Sequence, residues 1–294
     1  MLSQVFIEQV INGLISGAMY ALMALGFSLL WGILGIFNFA HGALYALGGY
    51  ITFYLITSIG FHPYTAIVMA MVCMFFFGMF MERIFIRFFK PLREDPYAYI
   101  TATVIMTIGL SILIETGLLL TFGGRFKTLD PFVPGVFSFG EYQLSKQLVF
   151  IFCLSCGFIS GAVLFIKYSK IGLAMNGIAQ DPIAAQLMGV NNDIVFCITF
   201  GVSALLAGLA GALLAPVYSL SPTVGWMPFT YAFLVVVVGG LGNISGVIVT
   251  AFLMGLIKNI FAIWISPAWV LPIIFGIMIL ILLVRPRGLF GTRE

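Results

Sequence analysis

In a chain of 294 residues that is 62% hydrophobic and 8% charged, each polar side chain interrupting an apolar run is a candidate for chemistry. The stretch NFAHGALYALGGY places Asn38 and His41 ahead of Gly42, Gly48 and Gly49. Asn offers donors and acceptors together, and His changes charge near neutral pH. The pair either lines a gate, bracing irregular backbone between the first two apolar runs, or sits wetted at an interface. Glu115 lies inside another apolar run, eight residues before Gly123, so about 12 Å of helix separates it from that run's end. A carboxyl in lipid needs a partner, a proton or water. A substrate ammonium would satisfy the charged form, and a hydrogen bond to a neighbouring helix the neutral one.

Catalytic constellations are missing. His41 and His62 are the two histidines, and there is no HExxH, no GxSxG and no GxxxxGK[ST] phosphate loop. The chain is therefore expected to hold no catalytic site, metal or cofactor and no ATPase site of its own, so uphill work needs a partner or an ion gradient. Cys73, Cys153, Cys156 and Cys197 all fall in apolar runs and read as small packing residues. Cys153 and Cys156 spell CxxC, but without a second pair they simply share a helix face.

The elements that must position these groups are membrane helices. A mean hydropathy of +1.17 and 23 charged residues cannot furnish the surface of a water-soluble fold of this length. At about 20 apolar residues per crossing, runs fall at 8–31, 41–60, 63–81, 97–121, 147–167, 194–217, 229–265 and 267–284. This predicts an all-α polytopic bundle of about eight spans. The seventh run is too long for one helix, and GGLGNISG, with Gly239, Gly240, Gly242 and Asn243, should break it.

Positive charge sets the sides. Arg83, Arg87, Lys90, Arg93, Lys167, Lys170, Arg285, Arg287 and Arg293, nine of thirteen basic residues, should face the cytoplasm. The N-terminus, which lacks the basic leader of a cleaved signal, then starts outside, as does the 122–146 loop. The tail reaches the cytoplasm only if 229–240 is a half-helix entering from outside, turning at the glycines so that 246–265 returns. Such a break is a candidate lining of a path. Gly13 and Gly17, Ala204 with Gly208 and Ala215, and Gly242 with Gly246 and Thr250 form small-residue faces for close helix packing. No basic patch interleaved with aromatics exists, which excludes nucleic acid as a partner.

One polar segment, GLAMNGIAQDPIAAQLMGVNND, stands apart. Asp181 suits an N-cap, Pro182 the first helical position, and Gly189 the C-terminal stop. A helix of about two turns follows, flanked by polar loops and too short to be stable unaided. Its face of Ile183, Ala184, Leu187 and Met188 fits a groove in another protein; the alternative is a helix lying in the headgroups.

The segment resembles the cytoplasmic coupling loop of bacterial ABC importer permeases. The whole chain, from about Ile11 to Leu289, is similar to the branched-chain amino acid permease family of the LivH type. The carriers are SLLWGILGIFNFAHGALYALGGY (28–50), ATVIMTIGLSILIE (102–115), GIAQDPIAAQLMGV (177–190) and VVVVGGLGNISGVIVTAFLMGL (235–256). The resemblance implies a single transmembrane permease domain across 1–294 with its coupling loop at 170–193. Ala184, Ala185 and Gly189 match the coupling motif, with Asp181, Pro182, Leu187 and Met188 around them. In such transporters this helix enters a cleft on an ATPase subunit. Ile183 stands where an acid is usual, and Asn176-Gly177 replace a basic residue and an alanine, removing a charge-assisted anchor.

The implied complex has two cytoplasmic ATPases, a second permease subunit, identical or not, and an extracytoplasmic binding protein, all at a bacterial inner membrane. The implied cargo is a branched-chain or other small amino acid. The alternative is a self-sufficient secondary transporter or channel for a small solute such as urea or a short amide, with Glu115 and the glycine break supplying the coupling chemistry.

Overall fold

The computed structural model describes residues 2–139 and 142–291. Arg293, placed above with the cytoplasmic tail, lies outside the described residues. The order is α1 (Leu2–Leu34), α2 (His41–Thr57), α3 (Pro63–Met81), α4 (Pro96–Phe122), β1 (Val136–Phe139), β2 (Tyr142–Ser145), α5 (Lys146–Tyr168), α6 (Lys170–Gln180), α7 (Pro182–Leu187), α8 (Asn192–Leu214), α9 (Trp226–Gly239), α10 (Ile244–Phe261) and α11 (Pro267–Val284). Among the described residues, six helices are long and apolar enough to cross a membrane. The long apolar runs became helices because in a bilayer each backbone polar group must be satisfied within its own segment.

Arg87, Lys90 and Arg93 mark one end of the bundle, its basic end. The end of α1, Lys90 and Arg93 from the segment after α3, and Pro182 and Asp193 around α7 all line one cavity of about 860 Å³. That segment is not a loop: α3 runs on through a π turn (Glu82–Ile86) and 3₁₀ turns (Arg87–Glu94), with Pro91 ruling out regular α geometry. Asp193 accepts from Arg87 Nη2 and Lys90 Nζ, each at 2.9 Å. The Arg93 guanidinium lies 4.2 Å above the Phe196 ring.

Two irregular segments cut into the bundle from opposite ends. Residues 35–40 turn back from the basic end and α2 begins deep inside, where His41 Nε2 meets Met23 O at 3.0 Å. Residues 215–225 come in from the other end, paired through Leu220 to Lys127 of the 123–135 loop, and α9 begins at the same depth. Their first turns touch: a Cβ on Gly42 would lie 2.9 Å from Gly225 O, and one on Gly225 would collide with the Gly42 backbone. Glycine is required at both positions.

The halves of the chain form an inverted pair. Helix, irregular segment, short helix and two further helices recur as α1–α4 and as α8–α11, running in opposite directions. The packing repeats as well: α1 lies on α10 as α8 lies on α3, and α2 lies on α8 as α9 lies on α1. Tight glycine contacts carry both pairings, Gly13 and Gly17 against α10 and Gly78 against α8. Gly242, grouped above with a helix face, lies before α10 at φ +84° and abuts Gly32 instead.

The fourteen-residue α9 spans about 21 Å, short of a full crossing. It is the expected half-helix, completed by residues 215–225 rather than by helix. The glycine turn after it sits at the basic end. α10 and α11 run out and back, and the tail closes on that turn, Leu289 N donating to Val238 O at 2.8 Å.

Three further expectations change. Residues 170–180 are helix, not a polar loop, because Ser169 caps Gly172 N at 2.9 Å while Met175 and Ile178 are buried. The 122–146 loop contains the β1–β2 hairpin. Of the four cysteines only Cys197 is buried, whereas Cys73 and Cys153 lie exposed on helix faces.

Candidate functional site

α7 is built as the residues dictate. Asp181 Oδ1 accepts from Ile183 N at 2.8 Å and from Ala184 N at 3.0 Å, and Pro182 occupies the first turn. Gly189 closes it at φ +88°, a conformation that disfavours any Cβ. Asn192 Nδ2 donates to Pro182 O at 2.9 Å, tying the helix to the start of α8. Ala185 is buried against α6, facing Gly177. Ala184 faces out. Ile183, Leu187 and Met188 are 71%, 84% and 85% exposed, an apolar tip with no cover in this chain. Asn176, where the chain departs from the resemblance noted above, is engaged inside the protein, donating to Ile166 O at 3.2 Å.

The second candidate region is the meeting point of α2 and α9. Asn38 and His41 are fully buried there, which excludes the wetted interfacial position. Asn38 Oδ1 accepts from Ala40 N at 3.1 Å and so shapes the entry into α2. His41 Nε2 donates to Met23 O, leaving Nδ1 of the ring without a partner; Asn38 Nδ2, Ser28 Oγ and Ser203 Oγ are likewise unpartnered. Thr107 Oγ1 accepts from Phe39 N at 3.2 Å and reaches Phe37 O at 3.3 Å, so α4 holds the irregular segment in place. Aromatic rings wall it in: Trp31 stacks on Phe37 at 4.0 Å, and Phe27 meets His41 edge-on at 5.8 Å. Irregular backbone at this depth is tolerated because protein covers it.

Asn38, His41 and Gly42 are thus brought together with Gly225. Glu115 is not among them. It takes a hydrogen bond from Ser111 Oγ at 3.0 Å, on its own helix rather than on a neighbour. Gly239, Gly240, Gly242 and Asn243 form the turn at the basic end. There Asn243 Oδ1 accepts from Gly246 N at 2.9 Å, and Nδ2 donates to Phe290 O at 2.7 Å. Sequence reasoning missed Thr107, Ser203 and Gly225, since hydroxyls and glycines within apolar runs look like ordinary packing residues until a second irregular segment appears opposite them.

Residues 9–283 match the family described as branched-chain amino acid transport system, permease component. The chain belongs to the branched-chain amino acid transport permeases. Among permeases of this family, BraD of Pseudomonas aeruginosa, named a high-affinity branched-chain amino acid transport system permease protein, is 31% identical over 98% of this chain and 97% of its own length. LivH of Escherichia coli K12, named likewise, is 30% identical over 98% and 96%. LivM of the same organism, a permease protein of the same named system, is 25% identical over 92% of this chain and 67% of its own length. No solved structure is significantly similar to this permease.

Proposed function

We propose that the chain is one permease subunit of an ATP-driven importer that carries branched-chain or other small amino acids across a bacterial inner membrane. α7 is the observation that carries this reading. A capped six-residue helix displaying Ile183, Leu187 and Met188 at the basic end has no stability of its own in water and no packing partner for its tip. A cleft on a cytoplasmic ATPase subunit supplies one. Residues 170–193 then act as the coupling loop of a single transmembrane domain, with the C-terminal tail cytoplasmic and the N-terminus outside.

The α2–α9 junction is the gate in this reading. Asn38, His41 and Gly42 are its polar and close-packed parts, and the inverted halves are two bodies that move against each other across it. α7 is bonded to α8, and the Asp193 ion pairs join α8 to the segment after α3, so motion at α7 reaches both halves. The similarity to both LivH and LivM of one organism supports a non-identical sister permease. An extracytoplasmic binding protein delivers cargo to the far end.

Inverted halves are shared with self-sufficient transporters, so dependence on ATP decides between them. Vesicles holding the permease pair and ATPases should take up leucine only with ATP. A chain with residues 182–188 scrambled should insert but no longer co-purify the ATPase. Uptake by this chain alone in ATP-free vesicles would refute the reading.

A further inference from the structure

We propose that Lys258, held against Tyr20 and Tyr231, receives the carboxylate of the zwitterionic amino acid on its way to the gate. This rests on the importer reading above. Lys258 is fourteen residues into α10 and Tyr20 fourteen residues before the end of α1, so each lies about 21 Å from the basic end. In a hydrocarbon layer of about 30 Å, that is the outer part of the bundle and still within it.

The surroundings of the amine are specific. Lys258 Nζ donates to Tyr20 Oη at 2.6 Å and lies 5.3 Å and 4.9 Å from the ring centres of Tyr20 and Tyr231. Those rings stack at 4.8 Å, 20° from parallel. Beside them Asn259 Nδ2 donates to Ser16 Oγ at 3.2 Å, so this stretch of α10 turns polar groups toward α1.

A lysine in this zone would ordinarily reach out to lipid headgroups. Lys258 does the opposite: its amine rests on two tyrosines that are 7% and 6% exposed, directed into the bundle. The ion pairs among the described residues both converge on Asp193, at the other end of the molecule, and none involves Lys258. Ring faces and one phenol oxygen attract a cation without neutralising it, and an intramembrane charge without a counter-charge is costly enough to mark function.

The unused valence fits one chemical group. An ammonium has three donors, of which Tyr20 takes one, and the Tyr20 hydroxyl hydrogen is left to donate onward. A carboxylate accepts several such bonds and supplies the missing negative charge. It is also the group common to every α-amino acid, so capture here is indifferent to the side chain. Lys258 is half-buried, so its side chain is not sealed off within this chain.

The test uses the complete transporter with its binding protein in proteoliposomes and radiolabelled leucine as probe. Lys258→Met should lower leucine uptake at least tenfold, while ATP hydrolysis stimulated by the binding protein and co-purification of the sister permease stay within twofold of wild type. Lys258→Arg should recover much of the uptake, and Tyr20→Phe should lower it severalfold. Uptake by Lys258→Met within twofold of wild type overturns the proposal. So does loss of the sister permease from that variant, since the amine would then be the partner of a carboxylate across the subunit interface. Should Lys258→Met fail to insert, Tyr20→Phe with unchanged uptake overturns it. A wild-type complex that hydrolyses ATP but moves no leucine overturns the importer reading, and this site with it.

Discussion

Thr107 shows how much of the architecture rests on single hydroxyl groups. Phe39 N lies in the irregular segment below α2, where no helical carbonyl is in register with it, and Thr107 Oγ1 is its partner at 3.2 Å. Thr107→Val keeps the shape and removes the oxygen. A buried N–H left alone costs about 1–3 kcal/mol, so the variant should unfold at correspondingly lower denaturant in mixed micelles. Thr107→Ser, which keeps the hydroxyl, should restore most of that loss. Equal stability of the Val and Ser variants would mean that the segment is held by its aromatic walls alone.

At the level of elements, α7 is the piece whose stability is least its own. Six residues cannot sustain a helix without help; the Asp181 cap, the Asn192 tie and the Gly189 stop provide it. Asp181→Ala should cost about 1 kcal/mol, the usual worth of such a cap. The bundle as a whole should melt unchanged, because α7 contributes little to the core. The expected signature is therefore local: faster amide exchange at Ile183 and Ala184 and weaker stimulation of ATP hydrolysis, with an unaltered global transition. A lowered global transition would show that α7 is part of the core fold. The Asp193 pairs are partly exposed and worth little as stability; their value lies in joining α8 to the segment after α3.

For the whole molecule, the inverted halves make a prediction about sides. If the basic end is cytoplasmic, a single Cys introduced at Met188 should react with a membrane-impermeant maleimide only in inside-out vesicles, and one introduced at His62 only in right-side-out vesicles. A Cys at Leu241, in the glycine turn, should behave like the one at Met188. Labelling of Met188 and Leu241 from opposite sides would contradict the path traced through residues 215–239. The native Cys73 and Cys153, exposed on apolar helix faces, should be silent to the reagent from both sides, since lipid excludes it.

The sequence by itself determined the long apolar helices, their approximate limits and the cap and stop of α7, though not α6. Each of these follows from local rules: apolar length, charge at the ends, and residues that satisfy or forgo a backbone hydrogen bond. It also carried the family, through NFAHG, the stretch 177–190 and the glycine-rich turn in their order. Only the tertiary structure decided that α2 and α9 start at one depth with Gly42 against Gly225, and that Lys258 turns inward onto Tyr20. These depend on which helices lie side by side. Side-chain partners more than a hundred residues apart leave no periodic trace along a chain that is apolar almost throughout.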